Sequence, residues 1–67
     1  MSLGSKIREI RKKKHLKQKE LAEIAGISVS YLCEIERDKT NPSIKTLFHL
    51  TQALGVRLST LLGDQEY

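Results

Sequence analysis

Eight cations crowd the first nineteen residues: Lys6, Arg8, Arg11, Lys12, Lys13, Lys14, Lys17 and Lys19, opposed only by Glu9. Residues 20–36 reverse the pattern, with Glu20, Glu23, Glu34 and Glu36 and no base at all. A basic block followed by an acidic one is either a solvated helix face or an anion-binding end, suited to nucleic acid or to an anionic membrane surface. The formal net charge of +4 leans toward an anionic partner.

Other chemistry finds little support. Cys33 is the only cysteine, and His15 and His49 are far from it in sequence. One thiol and two scattered imidazoles give neither a nucleophile–base pair nor a metal-ligand spacing. No glycine-rich phosphate loop and no paired-carboxylate constellation appears. The sequence therefore predicts no enzyme, no metal and no cofactor. A single cysteine forms no intrachain disulfide, which points to a reducing compartment and hence the cytoplasm. No apolar run approaches the roughly 18 residues that span a bilayer. The N-terminus lacks the apolar stretch of a secretory leader, so none is expected.

The elements that must position any anion site are helices. The 67 residues suffice for one domain, which buries roughly 60% of the surface of its unfolded chain. Aromatic residues make up 4% of the chain, with one proline and four glycines, too few for many short strands. Apolar residues recur at helical spacing instead. Leu3, Ile7 and Ile10 share one face, bordered by Arg11, which predicts a first helix over about 4–14 with Ser2 or Ser5 as its cap. Leu21, Ala22 and Ala25, with Ile24 beside them, predict a second over 18–25, stopped by Gly26. Ser28 caps a third over 29–37, whose inward residues are Leu32, Ile35 and Glu36. After the turn at 38–42, Ser43 caps a fourth, where Ile44, Leu47, Leu50 and Leu54 share a face before Gly55. Val56, Leu58, Leu61 and Leu62 suggest a fifth over 58–62, stopped by Gly63, with 64–67 as a frayed tail. Phe48 borders the core face, and His49 falls on the exposed side.

Two short helices joined by Ala25-Gly26-Ile27-Ser28 form a helix-turn-helix pattern over about 18–37. Gln18-Lys19-Glu20-Leu21-Ala22, the turn itself, Tyr31-Leu32, Ile35-Glu36-Arg37 and Asn41-Pro42-Ser43-Ile44 resemble the Cro-repressor-like family, also called the xenobiotic response element family. Leu54-Gly55-Val56 and Leu61-Leu62 continue the likeness over nearly the whole chain. The resemblance implies an all-α, five-helix, lambda-repressor-like DNA-binding domain. It also implies a repressor-type transcription regulator that binds double-stranded DNA as a homodimer, its second motif helix in the major groove. This sequence departs at three positions: Lys17 replaces a capping Ser or Thr, Asp38 stands where Gly is frequent, and Arg57 stands where a capping Ser is common.

Groove residues must project outward near the start of the recognition helix, which selects Ser28, Val29, Ser30 and Glu34 as base readers. Val29 suits a thymine methyl, Ser30 either kind of edge, and Glu34 a cytosine amine. Phosphate anchors are expected on both sides: Lys17, Gln18 and Lys19 at the start of the second helix, and Tyr31, Arg37, Lys39, Thr40, Asn41 and Ser43 on the other. Arg11 and Glu36 both lie at apolar edges, where a charge needs a partner. The resemblance implies that they pair, linking helices one and three. It also places the dimer interface at the corner of helices four and five, with Phe48, Val56, Arg57 and Leu58. The rival reading is an antitoxin-like protein-interaction module that binds DNA secondarily, which an exposed apolar patch at Phe48 would favour.

Overall fold

The computed structural model describes residues 2–62, so the expected stop at Gly63 and the tail at 64–67 lie outside the described residues. Five helices run in order: α1 Leu3–Lys13, α2 Gln18–Ala25, α3 Val29–Glu36, α4 Ile44–Leu54 and α5 Leu58–Leu62. The expected all-α fold class is what forms. The helices pack α2 on α3 and α4, α1 on α3 and α5, and α4 on α5. Ile7, Leu21, Leu32, Ile35, Leu50, Leu54 and Leu61 fill the centre, each essentially excluded from solvent.

Serines begin the helices. Ser2, Ser28 and Ser43 stand in extended backbone, and each side-chain oxygen accepts the N–H three residues on, at 3.1, 3.0 and 3.1 Å. Ser2, not Ser5, is the α1 cap. At α2 the expectation of a poor cap holds. Lys17 has no acceptor, and Glu20 reaches back to take the Lys17 N–H at 2.8 Å. With lysine at the cap, the first N–H groups of α2 have no side-chain acceptor.

One geometry ends four helices. The residues just past α1, α2, α3 and α4 are His15, Gly26, Asp38 and Gly55, with φ of 59, 74, 60 and 69°. After each, the next N–H reaches back five residues: Leu16 to Arg11, Ile27 to Ala22, Lys39 to Glu34 and Val56 to Thr51. This is the Schellman arrangement, which satisfies two orphan carbonyls and folds the following residue onto the helix. Leu16, Ile27 and Val56 accordingly pack against the core. Glycine accepts the left-handed conformation freely, whereas His15 and Asp38 hold it against steric cost.

The structure departs from the helical-wheel expectation at several positions. Ile44, expected on the α4 core face, is 66% exposed. The face is centred by Thr46, Leu47, Leu50, Thr51 and Leu54, and Ile44 stands about 90° off its middle. Ile24 and Leu62 are likewise exposed, and Phe48, at the border of the core face, is half exposed. His49 is half-buried, not on an open side, because it shares a groove with Ile24, Ala25 and Gly26 of the adjoining helix. The buried Thr51 hydroxyl donates to the Phe48 carbonyl at 2.7 Å, so its burial leaves no polar group stranded.

Arg11 and Glu36 meet as expected. Arg11 Nε donates to Glu36 Oε2 at 2.7 Å and Nη2 to Oε1 at 3.1 Å, in a bidentate pair whose side chains are 9% and 1% exposed. Arg11 Nη1 also donates to the Leu16 carbonyl at 2.8 Å. Removing one partner of such a pair strands the other in the interior.

Two measurements check these points. Glu36→Ala is expected to cost about 3–5 kcal/mol. Glu23→Ala, on an exposed face, should stay within about 0.5 kcal/mol. Urea unfolding of both variants tests the contrast, and equal midpoints would refute the role of the pair. His15→Gly should stabilise by about 0.5–1 kcal/mol, raising Tm by about 3–6 °C, because relief of the left-handed strain exceeds the entropy that glycine adds to the unfolded chain. An unchanged or lower Tm would contradict the strain at His15.

Candidate nucleic-acid interface

The start of α3 carries the outward residues. Val29 is 43% exposed, and Ser28, Ser30 and Glu34 are exposed beside it. The Ser28 oxygen is occupied by the Tyr31 N–H, which leaves the hydroxyl proton for an external acceptor. Ser30 and Glu34 are four apart and so share a helix face. Leu32, Ile35 and Glu36 turn the opposite side of α3 into the core. The helix thus presents three small side chains in its first turn and an acid one turn further on.

Cationic and polar groups flank that helix. On one side, Lys17 and Lys19 are exposed at the bare N-terminus of α2. Gln18 is half-buried there, and its Nε2 donates to Glu36 Oε1 at 3.0 Å. That bond commits one amide proton to the fold and orients the rest of the group. On the other side, Arg37, Lys39 and Asn41 are exposed and Thr40 is half-buried. Ser43 caps α4, and its hydroxyl also bonds that of Thr46 at 3.0 Å. Tyr31 is half-buried, its ring against the core.

A cleft opens where α1, α2 and α3 converge, lined by Arg8, Arg11, Lys17, Gln18, Cys33, Glu36 and Arg37. Glu36 is spent on Arg11, so the remaining balance of the cleft is positive. Arg8 was not among the residues expected at the site. It lies three residues before Arg11 on the same side of α1, and that spacing was the signal available in the sequence. Among the described residues, no group of three potential metal ligands converges. No helix among them is long and apolar enough to cross a membrane.

The expected dimer corner is divided. Val56 and Leu58 are half-buried and pack against the core, whereas Arg57 is exposed and Phe48 half exposed. Ile44 joins Phe48 one turn away on α4 as an apolar surface pair. The sequence reading missed Ile44 because hydropathy does not separate a core border from an outer edge.

Comparison with known proteins places this geometry. The model of the helix-turn-helix family matches residues 7–61. The chain is 46% identical over 65 residues to the immunity repressor protein of Bacillus phage phi105, covering 97% of this chain and 45% of that protein. It is 44% identical over 64 residues to the transcriptional regulator SinR of Bacillus subtilis, covering 94% of this chain and 58% of that one. The chain spans about half the length of the curated relatives it matches. Among solved structures, it is similar to the biofilm master regulator SinR in complex with DNA, with a TM-score of 0.87 and 44% identity over 92% of this chain and 100% of that one. The chain belongs to the helix-turn-helix family, in the Cro-repressor-like or xenobiotic response element branch that its motifs resemble.

Proposed function

We propose that residues 1–67 form a single domain that binds double-stranded DNA sequence-specifically, as the DNA-binding part of a cytoplasmic repressor-type regulator. The observation that carries this reading is the start of α3: an outward turn of small side chains, flanked on both sides by cations and free donors. Its likeness to a regulator solved in complex with DNA supports the same reading. A protein of this kind acts by occupying its operator and controlling access of polymerase.

In this reading Ser28, Val29, Ser30 and Glu34 face base edges in the major groove. Lys17, Gln18, Lys19, Tyr31, Arg37, Lys39, Thr40, Asn41 and Ser43 hold the phosphates, and Arg8 adds a cation on the α1 side of the cleft. The first N–H groups of α2 point out of the helix and favour a phosphate oxygen. Two copies joined through Phe48, Ile44 and Arg57 would set their recognition helices about 34–36 Å apart, one turn of duplex. No catalytic step is involved, and the domain needs no cofactor.

Selection of bound duplexes from a random pool tests the reading, with enrichment of one motif as the expected result. Against that motif, Ser30→Ala and Val29→Ala should each relax preference at one or two base pairs by about 1–3 kcal/mol, with Tm unchanged. Unchanged operator-to-scrambled ratios in both variants, with normal melts, would overturn the α3 assignment and favour a protein partner. Lys39→Ala should weaken all sequences alike and reduce the log–log salt slope by roughly 0.9. A changed sequence preference at constant slope would refute its place on a phosphate.

A further inference from the structure

The turn that leaves α3 reaches back to the start of α1. Ser2 Oγ donates to Asp38 Oδ2 at 2.6 Å, and the Gly4 N–H donates to Asp38 Oδ1 at 3.1 Å. The side chain of a residue 34 positions away thus takes one of the orphan N–H groups of α1. The backbones also touch. Gly4 is buried, and a Cβ there would overlap the Ile35 carbonyl oxygen and stand 2.8 Å from that of Glu36. The tether requires Asp38 to hold its left-handed backbone, with φ of 60°. Aspartate tolerates that conformation better than most residues, and its short carboxylate is aimed at α1 from it.

We propose that Asp38 is a positioning residue for DNA recognition, setting the angle at which α3 is presented by tethering its exit to the start of α1. The proposal rests on the DNA-binding reading above. Arg11, already held by Glu36, lies seven residues beyond Gly4, about 10 Å along α1. The Arg11–Glu36 pair and the buried Ile7 and Ile10 hold α1 along its middle, and the second attachment, at its N-terminal end, opposes the small tilts that these contacts leave. Because α3 packs on α1, any such tilt is transmitted to the outward residues Val29 and Ser30.

Charge alone makes the opposite forecast. Asp38 adjoins Lys39 at the proposed phosphate-binding edge, where a carboxylate repels DNA. Its removal should then tighten binding whatever replaces it. The tether makes the replacement decisive. Asp38→Asn keeps an oxygen for the Gly4 N–H, whereas Asp38→Gly keeps only the backbone conformation. Both variants carry the same charge.

The experiment measures binding of the parent, Asp38→Gly and Asp38→Asn to the duplex selected from the random pool and to a scrambled duplex, at one salt concentration, beside thermal melts. The expected result is that Asp38→Gly binds the selected duplex about tenfold more weakly than Asp38→Asn, while the two bind the scrambled duplex alike and both melt as folded proteins. Equal affinities of the two variants for the selected duplex overturn the proposal while leaving the DNA-binding reading intact. A parent chain that enriches no duplex overturns both. Should Asp38→Gly be unfolded at the assay temperature, Ser2→Gly decides, because it cuts the Oδ2 bond, leaves Asp38 in place and weakens the α1 cap less than alanine would. Reduced selectivity for the chosen duplex then supports the tether, and unchanged selectivity overturns it.

Discussion

The Glu36 carboxylate organises the arrangement of the first three helices. It is 1% exposed and accepts from Arg11 Nε, Arg11 Nη2 and Gln18 Nε2. An ionised group so placed is costly unless its lone pairs are met, and here three donors from two other helices meet them. Apolar residues of similar volume would hold these helices together as well or better. They would not fix direction. A planar guanidinium on a planar carboxylate constrains rotation as well as distance, and Arg11 is further aligned by the Leu16 carbonyl. Gln18 belongs to this network and also stands at the bare end of α2, so the proposed phosphate-binding edge is built onto the same carboxylate that orients α3.

The chain is short, and it compensates with local order at the helix ends. Serine caps at Ser2, Ser28 and Ser43 close three starts, and one repeated backbone motif closes four ends. At three of them the next residue folds back toward the helix, which packs Leu16, Ile27 and Val56 against the core without lengthening any helix. At α3 the same motif delivers Lys39 instead, which stays exposed. The turn that adds a core residue elsewhere adds a cation here, beside the face proposed to meet DNA.

What the sequence made legible was local in origin. Gly26 and Gly55 as stops, Ser28 and Ser43 as caps, and the inward Leu32 and Ile35 each follow from a few neighbouring residues, and they define the helices within a residue or so. The outward turn at Val29 and Ser30 was legible for the same reason, as the complement of that buried face. The contact of Asp38 with Ser2 and Gly4 was not, because its partners lie more than thirty residues away: an Asp where Gly is frequent signals the left-handed backbone but not what its carboxylate meets. Gly4 reads as an ordinary helix residue until the carbonyls of α3 are set against it. Ile44 failed differently: its hydropathy suits the core, but its angle on α4 does not bring it there. Val56 and Leu58 were drawn inward by the α4 stop and by the packing of α5, so the corner presents less apolar surface than its composition implied.

The proposed base readers are small. If Ser28, Val29 and Ser30 face base edges, they are too short to reach them from a distance, so the helix backbone must approach the groove closely or water must bridge the gap. Close approach leaves little tolerance for tilt, and tilt is decided far from the bases by Glu36, Arg11 and the exit of α3. The lysines are placed differently. Lys17, Lys19 and Lys39 are exposed side chains that hold no part of the core, so their number can change affinity without changing the angle. In the proposed reading the rim lysines add affinity free of the fold, whereas selectivity rests on the exposed turn at Ser28, Val29 and Ser30 together with the buried groups that set its angle. Gln18 joins the two, with one amide proton on Glu36 and the other end of its group at the start of α2, so a change there would disturb both at once.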